Sequence, residues 1–171
     1  MTPAEFSSLF DDAHAITCKA VRQVPETLRD FRPAHEMMSA FDLIFHMFSQ
    51  ERAMLVGATT GELLLVEFAT VEQDKKALAT IEDLARYGEQ VHGQTRDWLS
   101  GVPEDQFRKP TKTFVGLSTP ERLLHNALVH MCHHRGQLYV YLRLMGIEPV
   151  FVWTGEPMDI VRARMRRPKA Q

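Results

Sequence analysis

From Ser118-Thr119-Pro120-Glu121 to Gly146 the chain carries one unbroken helical pattern, and a helix that long limits the folds available to it. Ser118 or Thr119 can cap the first turn, Pro120 suits it, and Glu121 can reach back to the cap. Two apolar stripes run along this helix. One contains Leu123, Ala127, Leu138, Tyr141 and Met145, and the other Leu124, Leu128, Met131, Leu138 and Leu142. Covering the first requires helical partners of similar length.

The rest of the sequence offers three. Thr2-Pro3-Ala4-Glu5 is a capping box with proline in the first turn, and the period it opens runs to Val24, before Pro25. Ser39-Ala40-Phe41-Asp42 opens a second helix, with Gly57 as its expected left-handed terminator. A third is predicted over roughly 71–99, weakened by Gly88 and Gly93 and stopped by Ser100-Gly101-Val102-Pro103. Trp98 and Phe107 read as packing residues near its end. With little strand signal, the pattern predicts an all-α four-helix bundle.

The connections are less regular. Residues 58–70 make the link between the second and third helices longer than a minimal bundle loop. Within it, Leu63-Leu64-Leu65-Val66 reads as a short strand or, better suited to a helical chain, as a helical turn or buried loop. Residues 104–117 form a polar connection with room for a short hairpin. Pro149-Val150-Phe151-Val152-Trp153 is apolar enough to dock on the bundle, with Trp153 as the expected anchor. One domain is expected over residues 1–160, followed by a basic tail at 161–171.

Composition narrows the function classes. Charged residues make up 25 % of the 171, and the net charge is −2, so no global field draws the chain to nucleic acid or anionic lipid. The one basic cluster, residues 162–169, reads as a solvated tail. No signal-peptide pattern and no apolar run of ~18 residues is seen, so no membrane association is expected. Cys18 and Cys132 lie in apolar helical surroundings, as two buried free thiols of a cytoplasmic protein would.

Histidine is the unusual residue. Of eight, His130, His133 and His134 crowd into one turn and a half of the long helix. His130 and His134 share a face, about one turn or ~6 Å apart. That spacing lets two imidazoles share a divalent ion, and it also occurs in core histidines that are merely hydrogen-bonded. His46, in the stripe Leu43, His46, Gln50 and Ala53 of the second helix, is the candidate third ligand. Three imidazoles leave a coordination position for water or substrate, which Gln50 could hydrogen-bond. His133 and His125 point to other faces, and His14, His35 and His92 read as surface or capping residues. Asp42 is a weak candidate for a general base and Glu51 reads as solvated, so no catalytic residue is assigned.

Three blocks resemble the DinB/YfiT-like superfamily of metal-dependent enzymes. They are Pro25 to Ser39, His46, and His130-Met131-Cys132-His133-His134-Arg135-Gly136-Gln137 running on to Gly146. The last is the most specific. The resemblance implies an up–up–down–down bundle and a metal, usually zinc or nickel, held by His46, His130 and His134. It also implies a homodimer, which would cover the second stripe, Leu124, Leu128, Met131, Leu138 and Leu142, with Gly136 allowing close helix approach and Arg135 as an interface contact. The expected function is metal-dependent thiol transfer or hydrolysis on a small molecule; the alternative is a metal-binding or stress-associated protein without turnover. The name of the family, which refers to DNA damage, raises nucleic-acid binding, and the charge pattern does not support it.

Overall fold

The computed structural model describes residues 1–166, so the basic cluster from residue 167 onward lies outside the described residues. Four long helices form the bundle: α1 (Pro3–Val21), α2 (Ala40–Thr60), α4 (Ile81–Gly101) and α6 (Pro120–Leu144). Shorter helices α3 (Leu65–Glu72), α5 (Glu104–Phe107) and α7 (Met158–Met165) lie in the connections and near the C-terminus. Strands β1 (Glu62–Leu63), β2 (Thr111–Thr113) and β3 (Gly116–Ser118) make a small sheet.

Three N-caps form where the sequence predicts them, but Glu121, expected to reach back to the α6 cap, pairs with Arg108 instead. Capping boxes close on Thr2/Glu5 and Ser39/Asp42, and Thr119 accepts a hydrogen bond from the amide of Arg122. The first helix stops at Val21, short of the predicted Val24. The second runs past Gly57 to a left-handed cap at Gly61, φ 80°. Gly57 instead admits a close neighbour: a Cβ there would lie 2.8 Å from Leu63 Cβ. The predicted third helix is split in two. Residues 65–72 form α3, a 3₁₀ turn follows, and Leu78 is extended. A further capping box, Thr80/Asp83, then restarts the helix as α4.

Pairing across the bundle gives the helix directions. Asp11 meets His92, His14 meets Gly88 and Arg22 meets Glu82, so α1 and α4 are antiparallel. Phe45 stacks on Tyr87 and Glu51 bonds His92 and Thr95, so α2 and α4 run the same way. His46 faces His130 and Gly57 faces Leu123, so α2 and α6 are antiparallel. The order is therefore up–down–down–up, which corrects the expected up–up–down–down. It also explains the long second connection: two successive parallel helices require the chain to return along the whole bundle. That return carries β1, which pairs in parallel with β2, and α3. The predicted hairpin is β2 with β3.

Val150 anchors the docked tail, and its amide is bound by the side chain of Gln23. Trp153, the expected anchor, is 79 % exposed. Arg162 and Arg164 pair with Glu148 and Glu156. Cys18 is buried, Cys132 is half-buried, and both are unpaired. Arg135 turns into the bundle, where its guanidinium donates to the carbonyl of Ala13 at 3.0 Å, tying α6 to α1. Gly136 has no neighbour within 4 Å of a built Cβ, so no helix of this chain approaches it.

Gly88 is where close approach is required. A Cβ there would sit 2.6 Å from Cζ of the fully buried Phe48. Gly93, on the same helix, has open space. Gly88→Ala should therefore destabilise by about 1–3 kcal/mol through overpacking, despite alanine's better helix propensity. Gly93→Ala should stabilise by up to about 1 kcal/mol. Urea denaturation of the two variants checks this pair, and equal effects would contradict the packing described.

Candidate metal centre

His46 reaches the centre from α2, and His130 and His134 from successive turns of α6. The Nε2 atoms of His46 and His130 are 3.0 Å apart, as are those of His130 and His134. The three rings are inclined to one another by 64°, 67° and 81°. Steeply inclined ring planes intersect, so in-plane lone pairs can converge on one point. Separations near 3 Å suit neighbouring ligands that each lie ~2.1 Å from an ion.

The electrostatics favour neutral, metal-ready imidazoles. Burial, then the neighbouring His134 and His46, pushes the pKa of His130 down to about 3. Burial and His134 lower that of His46. Burial lowers that of His134, opposed by a hydrogen bond to Gln137. Two facing ring nitrogens can share only one proton, and here His130 Nε2 faces two partners. A cation between them satisfies all three lone pairs at once. His130 Nδ1 is buried without a partner, whereas His134 Nδ1 is 2.7 Å from Gln137 Oε1.

His46 also lines an open cavity of about 270 Å³, with Arg32, His35, Asp42 and Lys75 among its other walls. Asp42 is committed there: it caps α2 and accepts from Arg32 at 3.0 Å and Lys75 at 2.8 Å. Its pKa is lowered because the bonds to Lys75 and Ser39 outweigh the opposing effect of burial.

Among the described residues a second group, His14, Glu51 and His92, also brings three ligand-type side chains together, and by donor type it could hold a metal. All three are buried, which corrects the expectation that His14 and His92 are surface or capping residues and Glu51 solvated. The signal was in the spacing: His14 continues the stripe Phe10, Thr17 and Val21, and His92 lies beside Gly88 and Thr95 on the buried face of α4. This group differs in geometry from the first. Its two rings stack at 4.1 Å with only 8° between their planes, so their lone pairs do not converge.

The second group's hydrogen bonds suit a proton. His92 Nδ1 is 3.0 Å from Glu51 Oε1 and its Nε2 is 2.7 Å from Asp11 Oδ1, so two carboxylates grip one imidazolium. Thr95 donates to the same Glu51 oxygen at 2.8 Å, and Glu51 Oε2 is left without a partner. His14 lies against it as a neutral ring, donating Nε2–H to the carbonyl of Gly88 at 3.1 Å. Burial and the charge of His92 push the pKa of His14 down to about 3.

The comparisons with known proteins agree with this architecture. The profile of the DinB family matches residues 2–160. The chain belongs to the DinB family. A DinB-like protein from Bacillus subtilis superposes with a TM-score of 0.71 at 24 % identity, covering 88 % of this chain and 98 % of that one. A protein described as a DinB-family member from Exiguobacterium sibiricum gives a TM-score of 0.65 at 24 % identity, covering 82 % and 92 %. At that identity the two structures speak for the DinB fold alone. A search of the curated proteins finds no match.

The pH dependence of this DinB chain should carry the mark of His92. Burial alone would lower its pKa, but the bonds to Glu51 and Asp11 outweigh burial and raise it above 6.5. Its contribution to stability is therefore complete below the unfolded value and is lost as pH rises through the folded one. Glu51→Gln should cost about 3 kcal/mol at pH 6 and less at pH 9, measured by urea denaturation. A pH-independent cost would contradict the imidazolium assignment.

Proposed function

We propose that this chain is a metal-dependent enzyme that binds one divalent ion, zinc or nickel, through His46, His130 and His134. The observation that carries the reading is the convergence of three imidazoles, with the Nε2 atoms of His46 and His134 each 3.0 Å from that of His130, beside a cavity that His46 lines. A buried site without access would favour simple metal storage, and the cavity beside His46 supports access for a small molecule. A bound ion with three imidazole ligands supplies an open coordination position and lowers the pKa of a water or thiol held there. The protein's own part is to present three neutral donors and to shape the cavity. Asp42 is held by two cations and Glu36 and Glu72 lie on the same cavity wall, and the chemistry proposed is activation of a thiol or water for transfer or hydrolysis. A cytoplasmic setting belongs to the same proposal, supported by two unpaired cysteines and by the absence, among the described residues, of a helix able to cross a membrane.

Metal analysis of the purified chain tests this directly. One equivalent of metal is expected, and His134→Ala should lose more than the ~10–100-fold in affinity typical of an outer-shell change. His92→Gln should retain the ion. Full retention in His134→Ala, or loss confined to His92→Gln, would move the site to the second cluster and sink the proposal. A screen for thiol transfer and hydrolysis then separates an enzyme from a metal-binding protein without turnover.

The proposal includes a homodimer. The stripe expected to meet a partner, Leu124, Leu128, Met131, Leu138 and Leu142, is buried inside this chain, whereas Val129, Val140 and Leu144 form an exposed apolar stripe on α6, with a gap at Gly136. Light scattering should give twice the chain mass, and Val140→Glu should give the monomer. A monomeric parent protein would remove this part of the reading.

A further inference from the structure

We propose that Gln137 and His133 are positioning residues that together fix which nitrogen of His134 is free to bind metal. The inference rests on the three-histidine reading and adds a function for two residues outside the ligand set. Gln137 follows His133 by four residues and His134 by three, so one side chain on α6 can reach both rings. It does: Gln137 Oε1 is 2.7 Å from His134 Nδ1, and Gln137 Nε2 is 3.3 Å from His133 Nε2.

The chemistry of the amide orders this chain of contacts. A carbonyl oxygen only accepts, so His134 must carry its proton on Nδ1. Its Nε2 is then an unprotonated donor atom, and it is the nitrogen that faces His130 Nε2 at 3.0 Å. The NH₂ of the same amide only donates, so His133 Nε2 must accept. If the amide turned over, its NH₂ would face His134 Nδ1 and drive the proton to Nε2, where it would block the metal. His133 favours the observed orientation when its own proton sits on Nδ1, because its Nε2 then gives the NH₂ an acceptor on the far side. His130 has no such support, because its Nδ1 is buried without a partner. Of the two ligands on α6, His134 is the one that the protein orients.

The test is a set of zinc affinities, measured by chelator competition on the full chain loaded with Zn(II) alone. Gln137 is only partly buried and His133 is exposed, so the variants should keep the fold, which circular dichroism verifies. Gln137→Leu should weaken zinc binding by about 10–100-fold. Gln137→Glu should restore or exceed the parent affinity, because both carboxylate oxygens accept. His133→Ala should cost less than Gln137→Leu in the parent and nothing in the Gln137→Glu background, where no amide needs orienting. Nitrogen-15 spectra of the metal-free protein should show His134 protonated at Nδ1, and a mixture of tautomers in Gln137→Leu. Parent-like zinc binding by Gln137→Leu, with binding lost in His134→Ala, would overturn the relay and leave the metal site standing. Retention in both would overturn the three-histidine reading itself. An equal His133→Ala loss in both backgrounds would overturn the part assigned to His133.

Discussion

The fold depends on α2 being buried along nearly its whole length between α4 and α6. Leu43, Ile44, Met47 and Phe48 have almost no solvent contact, and the closeness of α4 is set by Phe48 lying where Gly88 has no side chain. Much of α2 faces other helices, so polar groups on those faces must be met there. His46 and Glu51 are two such groups, and each is answered by other helices. His46 turns to the histidines of α6, and Glu51 turns to His92 and Thr95 of α4. One apolar helix thereby organises two polar centres on different sides of the bundle.

These centres use similar residues to different ends. Around His92 every ring nitrogen meets a carboxylate, and a proton supplies the positive charge. Around His130 the facing groups are other lone pairs, so the surroundings offer acceptors and no compensating charge. Ring inclination separates the two physically: stacked planes share a face, and crossed planes share a point. Residue type alone groups both clusters as possible metal sites, and orientation tells them apart.

Local chemistry was legible in the sequence wherever the deciding partners were near in the chain. The capping boxes at Thr2 and Ser39 and the Thr119 cap of α6 needed only three or four residues to be read. The juxtaposition of His130 and His134 needed one turn of helix. His46 could be added because a lone histidine in an apolar stripe has few other places to go. The break before α4 is hidden because the apolar period continues through it, and only the Thr80/Asp83 box marks the restart. His14 and His92 are hidden for another reason. Their stripes point to burial, but the groups that meet them there lie 41 to 81 residues away in the chain. Helix direction was hidden in the same way, since it is expressed only in contacts between distant segments.

The parallel run of α2 and α4 has a consequence for how the chain comes into being. His46 must wait for His130, 84 residues later, and α6 is the last long helix to emerge during synthesis. The early helices can gather around Phe48 and Glu51 while the histidine of α2 still lacks its companions. Closing so large a loop is slow relative to local helix formation. The three-histidine group is therefore assembled late in the life of the nascent chain, with the arrival of α6, and cannot seed the bundle.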